Sequence, residues 1–477
     1  MIKTLSGQDL INAGLLQGRW FREALDAGNE VLRDGGSREA SLAAAMAYQP
    51  APKLPLKGAS DIDIHMNIRA ENAAEQANIE NVSVTMRELS RTPGVRAAAI
   101  MPDACPSGPI GTIPVGGVVA SEAIHPGMHS ADICCSMTIS ILPGVAPHEL
   151  LDAVHAVTHF GPGGRPRGAQ LRPSDATMSA FEANPYLNQI VSVAIEHFAT
   201  QGDGNHFAYV GQMKSTGETA LVTHHGSRAP GARLYDRGMK VANRFRELLS
   251  PETLKQNAWI PAESEEGEHY WKALQIVRQW TKENHFAIHD MAVSKLGAKV
   301  ADRFWNEHNF VFQKSDGLFY HGKGATPAFD GWADDATDLT IIPLNMAEPI
   351  LIVRGSNAAH GLGFSPHGAG RNFSRTAHLR QLAAAYGSDS RGLSPNNIAD
   401  LLAKETSGLD VRFFSGNADV SELPGAYKNA AQVKAQIGEY ALAEIVDEVI
   451  PYGSIMAGDW QKNAPWRNKK KRSQKPE

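Results

Sequence analysis

Seven short apolar runs, most of them ending in or near glycine, constrain this 477-residue chain more than any other feature. They are AAAIMPDA, VGGVVASEAI, HFAYVGQM, ALVTHHGS, HNFVFQ, GLFYHGKG and EPILIVRGS. Runs of this length, rich in Val, Ile and aromatics and stopped by glycine, predict strands and tight turns. Longer stretches with helical spacing cover about 7–34, 69–90, 265–306 and 429–448. In the first, Leu10, Ile11, Leu15, Leu16, Trp20, Phe21, Leu25 and Val31 recur mostly at helical steps. In the third, Trp271, Leu274, Ile276, Val277 and Trp280 are the predicted core face. Strands and helices do not alternate regularly, which predicts an α+β fold rather than a doubly wound sheet.

Apolar residues make up 42% and charged residues 20%, enough to bury a sizeable core and too apolar for wholesale disorder. The length allows about three domains or one elaborate one. Three prolines and a glycine in QPAPKLPLKG (49–58) block a helix and predict a linker behind a helical region 1–48. Residues 59–460 then form the main domain, and 461–477 a basic tail. The net charge is −5, yet residues 462–477 hold seven Lys/Arg and one Glu, which leaves −11 for the rest. A uniformly basic nucleic-acid binder is thereby excluded, and a local basic groove or the tail is what remains for a polyanion. No run of about 18 apolar residues occurs, so no membrane span is expected. The opening MIKTLSGQDL lacks a signal-peptide pattern. The cysteines, Cys105, Cys134 and Cys135, form no disulfide framework. The expected location is a reducing cytoplasm, with cysteine used for chemistry or metal.

The 18 histidines carry the functional signal, because many fall at strand ends near glycine. Taken singly, each reads as a hydrogen-bonded structural residue. Taken together with Asp132 and Cys135, three apart on one turn, His206, His224, His225, His308, His321 and His367 suggest a carboxylate/thiolate/imidazole metal site. Glycine-flanked polar turns (GDGNHF, HHGSRAPG, RGSNAAHG, HGAGR) are a candidate phosphate cradle, although none matches a standard phosphate or dinucleotide loop. His285 and His289 stand at i, i+4 on a predicted helix, a spacing that can bind zinc, but the HExxH glutamate is missing and they read as structural.

MPD (101–103), IHPGMHSADICCSM (124–137), GDGNHF, HHGSR, EHNFVFQK (307–314), GKGAT (322–326), RGS (354–356), HGAGRNFSR (367–375) and AYK (426–428) follow in one order. That order resembles the RtcB family of GTP- and manganese-dependent RNA-splicing ligases, over roughly 95–458. The resemblance implies mixed sheets surrounded by helices around a central metal and nucleotide cleft. It implies that His367 takes GMP onto its ring. Asp132, Cys135, His206, His224 and His308 would bind two Mn2+ ions, with the Cys135 thiolate able to bridge them. Nucleotide contacts are implied for Asn205, Asn309, Arg354, Gly355, Ser356, Asn357, Gly368, Ala369, Gly370 and Tyr427. The implied partners are GTP and RNA with 3′-phosphate or 2′,3′-cyclic phosphate ends and 5′-hydroxyl ends.

The chain also departs from the family pattern. Tyr209 stands where the family has a guanine-binding glutamate, and Met456 or Ala457 where it has a base-contacting lysine. Cys105 replaces a histidine, Glu307 replaces the first histidine of HHN, and His129 is added near the expected metals. These changes predict a divergent paralogue. Two alternatives follow: a manganese-dependent phosphoesterase or cyclic-phosphate hydrolase without GTP use, and a non-catalytic RNA-binding protein.

Overall fold

The computed structural model describes residues 4–459, apart from 16, 19, 50–51 and 388–392. The expected basic tail lies outside the described residues. In chain order the strands are β1 (Ile64–Met66), β2 (Val95–Cys105), β3 (Val115–Ser121), β4 (Ser136–Leu142), β5 (Phe207–Met213), β6 (Thr219–His225), β7 (Asp302–Glu307) and β8 (Asn309–Gln313). Then follow β9 (Phe319–Lys323), β10 (Ala325–Pro327), β11 (Leu339–Ile342), β12 (Ile350–Gly355), β13 (Phe364–Pro366), β14 (Asp410–Phe413) and β15 (Ala443–Met456). The fold is α+β.

One compact unit comprises Met1–Pro55 with Leu248–Pro251. Its helices Gly7–Asn12, Phe21–Arg33 and Arg38–Met46 enclose a small core of Leu5, Leu10, Leu15, Phe21, Ala24 and Ala45. The single helix expected over 7–34 is thus two: the first stops at Asn12, before Gly14 at φ +84°.

The second unit takes Leu56–Glu247 and the chain from Glu252 onward. Among its described residues, one sheet runs β1-β2-β3-β9-β8 and a larger one runs β11-β12-β15-β5-β6-β4-β7, with β14 beside β15. Pairing is antiparallel except at β1/β2 and β14/β15. The larger sheet is nearly closed: the Ile341 N–H of β11 donates to Asn306 Oδ1 of β7 at 2.8 Å. β10 and β13 form a two-stranded ribbon that ends at His367.

The helix Glu265–Leu296 starts at the Ser264 cap and ends at Gly297, which takes the left-handed conformation at φ +62°. The expected continuation to 306 is instead β7. Its Leu274, Val277 and Trp280 are fully buried, while Trp271 and Ile276 are half-buried. The stretch expected as helix over 429–448 is a helix only over Ala430–Glu439. Ala441 at φ +45° breaks it, and the β-branched run that follows joins the large sheet as β15. The stretch 69–90 is helical from Ala73, after the Asn72 cap. No helix among the described residues is long and apolar enough to cross a membrane.

Candidate active site

Strand ends of the large sheet converge on one point. β4 begins immediately after Cys135, β5 immediately after His206, and His224 is the penultimate residue of β6. His224 pairs across the sheet with both Phe207 and Met137, so register alone brings three chain segments together. His308 sits between β7 and β8, and its N–H donates to the Cys135 carbonyl at 2.8 Å. The turn 130–135 carries two residues with positive φ, Ser130 and Cys134, and this aims Asp132 and Cys135 inward. Gly226 makes that possible, because a Cβ there would lie 2.2 Å from Asp132 Oδ1.

The ligand-type atoms fall into two groups, Cys135/His224/His308 and Asp132/Cys135/His206, each with its atoms within 4.8 Å of one another. Cys135 belongs to both. Its Sγ is 3.2 Å from His224 Nε2 and 3.7 Å from His206 Nε2. His224 Nε2 is 3.1 Å from His308 Nε2, and His206 Nε2 is 3.3 Å from Asp132 Oδ2. His224 Nδ1 is 3.1 Å from the Asn205 carbonyl, which can only accept, so Nδ1 carries the proton and Nε2 turns its lone pair on the group.

Burial and neighbouring histidines push His224 down to about 3, and push His308 well below the usual imidazole range, so both rings are neutral. Burial would raise the Asp132 carboxyl, but the bond and charge of His206, with Cys135 and Arg228, outweigh it and hold it at about 2. Burial, then the charge of Asp132, drives the Cys135 thiol well up. A cation between these groups would reverse that shift. The neutral imidazoles of His224 and His308, with the His206 ring, the Asp132 carboxylate and the buried Cys135 thiol gathered around them, fit a metal site.

His367 stands beside this cluster, with ring centroids of His308 and His367 4.9 Å apart. Its Nδ1 is 2.5 Å from Asp103 Oδ2, and its backbone N–H donates to the same oxygen at 3.1 Å. Asp103 is fully buried. The carboxylate therefore holds the proton on Nδ1 and leaves a lone pair on Nε2. Gly324, at φ +58°, lets the backbone of GKGAT close on the ring: a Cβ there would be 2.8 Å from it.

A cavity of ≈ 840 Å³ opens over these groups and is lined by Asp132, Cys135, His224, His308 and His367. Of the expected nucleotide contacts, Asn205, Asn309, Gly368, Ala369, Gly370 and Tyr427 line it. Asn309 Oδ1 accepts from the Gly324 N–H at 2.6 Å and its Nδ2 donates to the Asp132 carbonyl at 3.4 Å, which ties two walls together. Arg354, Gly355, Ser356 and Asn357 are not among the lining residues. Arg354 pairs with Glu444 at 3.6 Å on the surface, Ser356 Oγ donates to the Ala441 carbonyl, and Asn357 Nδ2 donates to Asp330 at 2.9 Å. The expected extra imidazole is not among the lining residues or in either ligand group: His129 Nε2 is 3.2 Å from the Tyr270 hydroxyl.

The chain from Arg165 to Ala457 matches the family model described as tRNA-splicing ligase RtcB. The chain belongs to the RtcB family. It is 26% identical to the tRNA-splicing ligase RtcB of Pyrococcus abyssi over 53% of this chain and 30% of that protein. It is 27% identical to the Thermococcus kodakarensis protein of the same name over 62% of this chain and 64% of that one. With the Pyrobaculum aerophilum protein it shares 23% identity over 85% of this chain and 96% of that one. The match thus spans under a third of the first of these relatives.

Of the departures from the RtcB pattern quoted above, Cys105, Tyr209 and Met456 line the cavity, whereas Glu307 pairs with Arg278 and His129 with Tyr270. Tyr209 commits its hydroxyl to the Val449 carbonyl at 2.9 Å. Leu344, Met346, Ile350 and Phe207 complete an apolar wall there. Sequence reasoning assigned no role to three groups that the fold brings in. Asp103 lay inside the quoted MPD, but its partner is 264 residues away. Glu422, buried, accepts from Arg371 at 2.7 Å, from Arg375 at 2.5 Å and from the Tyr427 hydroxyl at 2.6 Å. Lys323 of GKGAT donates to Ser107 Oγ at 2.5 Å, and burial lowers its amine to about 8.

Proposed function

We propose that this protein is a divergent RNA ligase that joins 3′-phosphate or 2′,3′-cyclic phosphate ends to 5′-hydroxyl ends through a His367–GMP intermediate, in RNA repair or splicing. The observation that carries this reading is the Asp103–His367 pair beside the two ligand groups. His367 Nε2, with its lone pair free, attacks the α-phosphorus of GTP; an N–P bond forms and pyrophosphate leaves. The guanylate then passes to an RNA 3′-phosphate, which the enzyme first frees from any cyclic form. The 5′-hydroxyl attacks that activated end, the phosphodiester forms and GMP departs. Bound divalent cations, two Mn2+ in this reading, neutralise phosphate charge during these transfers. Asp132, Cys135, His206, His224 and His308 hold them. Arg371 and Arg375, ordered by Glu422, are the cationic side of the cavity available to RNA phosphates. A cytoplasmic location goes with this activity.

The apolar wall at Tyr209 and Met456 favours a second reading, a manganese-dependent cyclic-phosphate hydrolase without nucleotide use. One experiment separates the two. The manganese-loaded protein is incubated with α-labelled GTP or ATP and the chain is examined for acid-labile, base-stable label. Label from GTP is expected. Label from ATP alone would rewrite the choice of base. No label from either, together with cleavage of a 2′,3′-cyclic phosphate, would replace ligation with hydrolysis.

The shared position of Cys135 gives a second prediction. Cys135→Ala is expected to cut bound manganese, measured by elemental analysis after dialysis, to below half of wild type. His206→Ala and His308→Ala, each in one group only, are each expected to lose about half. Equal loss in all three variants would mean one ion rather than two.

A further inference from the structure

The i, i+4 histidines of helix Glu265–Leu296 have no part in the scheme above, yet all four of their ring nitrogens are engaged. His289 Nδ1 is 2.8 Å from Ser140 Oγ, and its Nε2 is 2.8 Å from Thr223 Oγ1. His285 Nδ1 is 2.7 Å from the same Thr223 oxygen. His285 Nε2 is 3.0 Å from Ser136 Oγ and 3.2 Å from the His225 carbonyl. All these residues are fully buried.

The His225 carbonyl, which accepts from Ser136 Oγ at 3.2 Å and faces His285 Nε2, sets the proton order of this chain. The His225 carbonyl only accepts, so His285 Nε2 carries hydrogen and its Nδ1 is a bare lone pair. The Thr223 hydroxyl must donate to that lone pair. Its oxygen then accepts from His289 Nε2–H, which leaves His289 Nδ1 bare. Ser140 donates there, and its oxygen accepts Arg303 Nε–H at 2.8 Å. Arg303 is held in turn by Asp290 at 2.7 Å. The chain runs in one direction from a surface ion pair to the carbonyl of His225. Burial pushes both imidazoles well below their usual range, which keeps them in the neutral form that the order needs.

Its far end lies against the metal-fitting groups. Ser136 follows Cys135, Thr223 precedes His224, and Ser136 pairs with His225 across β4/β6. Side chains alternate along a strand, so Thr223 and His225 face the helix while His224 faces the cavity. His225 also stacks on His285, with ring centroids 3.4 Å apart and planes 14° apart. A shift of one residue would exchange the two faces.

We infer that Thr223, His285 and His289 are positioning residues: their one-directional hydrogen-bond chain clamps the β4/β6 ends from behind and so sets the Cys135–His224 geometry for metal. The inference rests on the reading that this cluster binds metal. The hydroxyl of Thr223 is its central link, accepting from one imidazole and donating to the other.

The test is Co2+ titration of the full-length protein, following the thiolate-to-cobalt and ligand-field bands, alongside thermal melting of the metal-free protein. Thr223→Val keeps the shape and removes the link; Thr223→Ser keeps the link. Thr223→Val is expected to weaken Co2+ binding by about tenfold or more and to shift the bands, while Thr223→Ser stays within about twofold of wild type. If Thr223→Val binds Co2+ with wild-type affinity and bands, whatever its melting temperature, the hydroxyl serves stability alone and the inference is overturned. If Thr223→Val does not fold, Ser140→Ala, which removes the donor to His289, carries the same comparison. A wild-type protein without thiolate-to-cobalt absorption would overturn the metal reading itself, and the inference with it.

Discussion

His367→Ala is expected to reduce covalent nucleotide labelling to below about one-thousandth of the wild-type rate, the scale on which removal of an attacking group is felt. The ring lies against a cavity, so its removal enlarges that space without emptying a core site. The variant also answers a chemical ambiguity. Lys323 lines the same cavity, and burial holds its amine at about 8, so it too can present a lone pair near neutral pH. Adducts on lysine and histidine nitrogen are both acid-labile phosphoramidates, and lability alone does not separate them. Label that survives in His367→Ala and vanishes in Lys323→Ala would move the nucleophile to the lysine and end the scheme proposed above.

Asp103→Ala is expected to slow labelling by about 10³–10⁴-fold while leaving bound manganese unchanged. Loss of the carboxylate frees the imidazole to carry its proton on Nε2, the nitrogen that must attack, and to turn away from the cavity. Asp103→Asn is expected to be milder. Asp103 Oδ2 accepts both the Nδ1–H and the backbone N–H of His367, so an asparagine oxygen can take that place and preserve the tautomer. Its amide then occupies the position of Oδ1, which is buried without a hydrogen-bond partner, and the negative charge that steadies a developing imidazolium is gone. A rate for Asp103→Ala within about threefold of wild type would show that the carboxylate is not needed to orient the ring.

Asp132 and Cys135 were legible as a pair because three residues on one turn suffice to aim both at one point. The choice of His224 over its neighbour His225 rested on the family resemblance. The sheet supplies the physical reason, since alternation sends one ring to the cavity and the other to the helix. The helical misreadings share a cause. Residues 297–306 and 440–448 have apolar spacing compatible with a helix, and the breaks come from Gly297 and Ala441 in left-handed conformations and from strands that find partners far away in the chain. The contacts of Arg354, Gly355, Ser356 and Asn357 were not legible in the sequence, because their partners lie far along the chain: Ala328 against Gly355, the Ala441 carbonyl for Ser356 and Asp330 for Asn357.

The sequence by itself determined the class of fold, the positions of the glycine turns and the residue types at the strand ends, because strand propensity, turn chemistry and ligand chemistry are local properties. It also contained the His285/His289 spacing, but not its use. Only the tertiary structure decided which nitrogen of each imidazole is bare. That depends on which acceptor faces the other nitrogen: Asn205 for His224, Asp103 for His367, the His225 carbonyl for His285. Two of these acceptors lie tens to hundreds of residues from the rings they orient in the chain, and the closest lies 19 residues away. A proton's place on a ring is set by contact in space, and sequence separation carries no information about it.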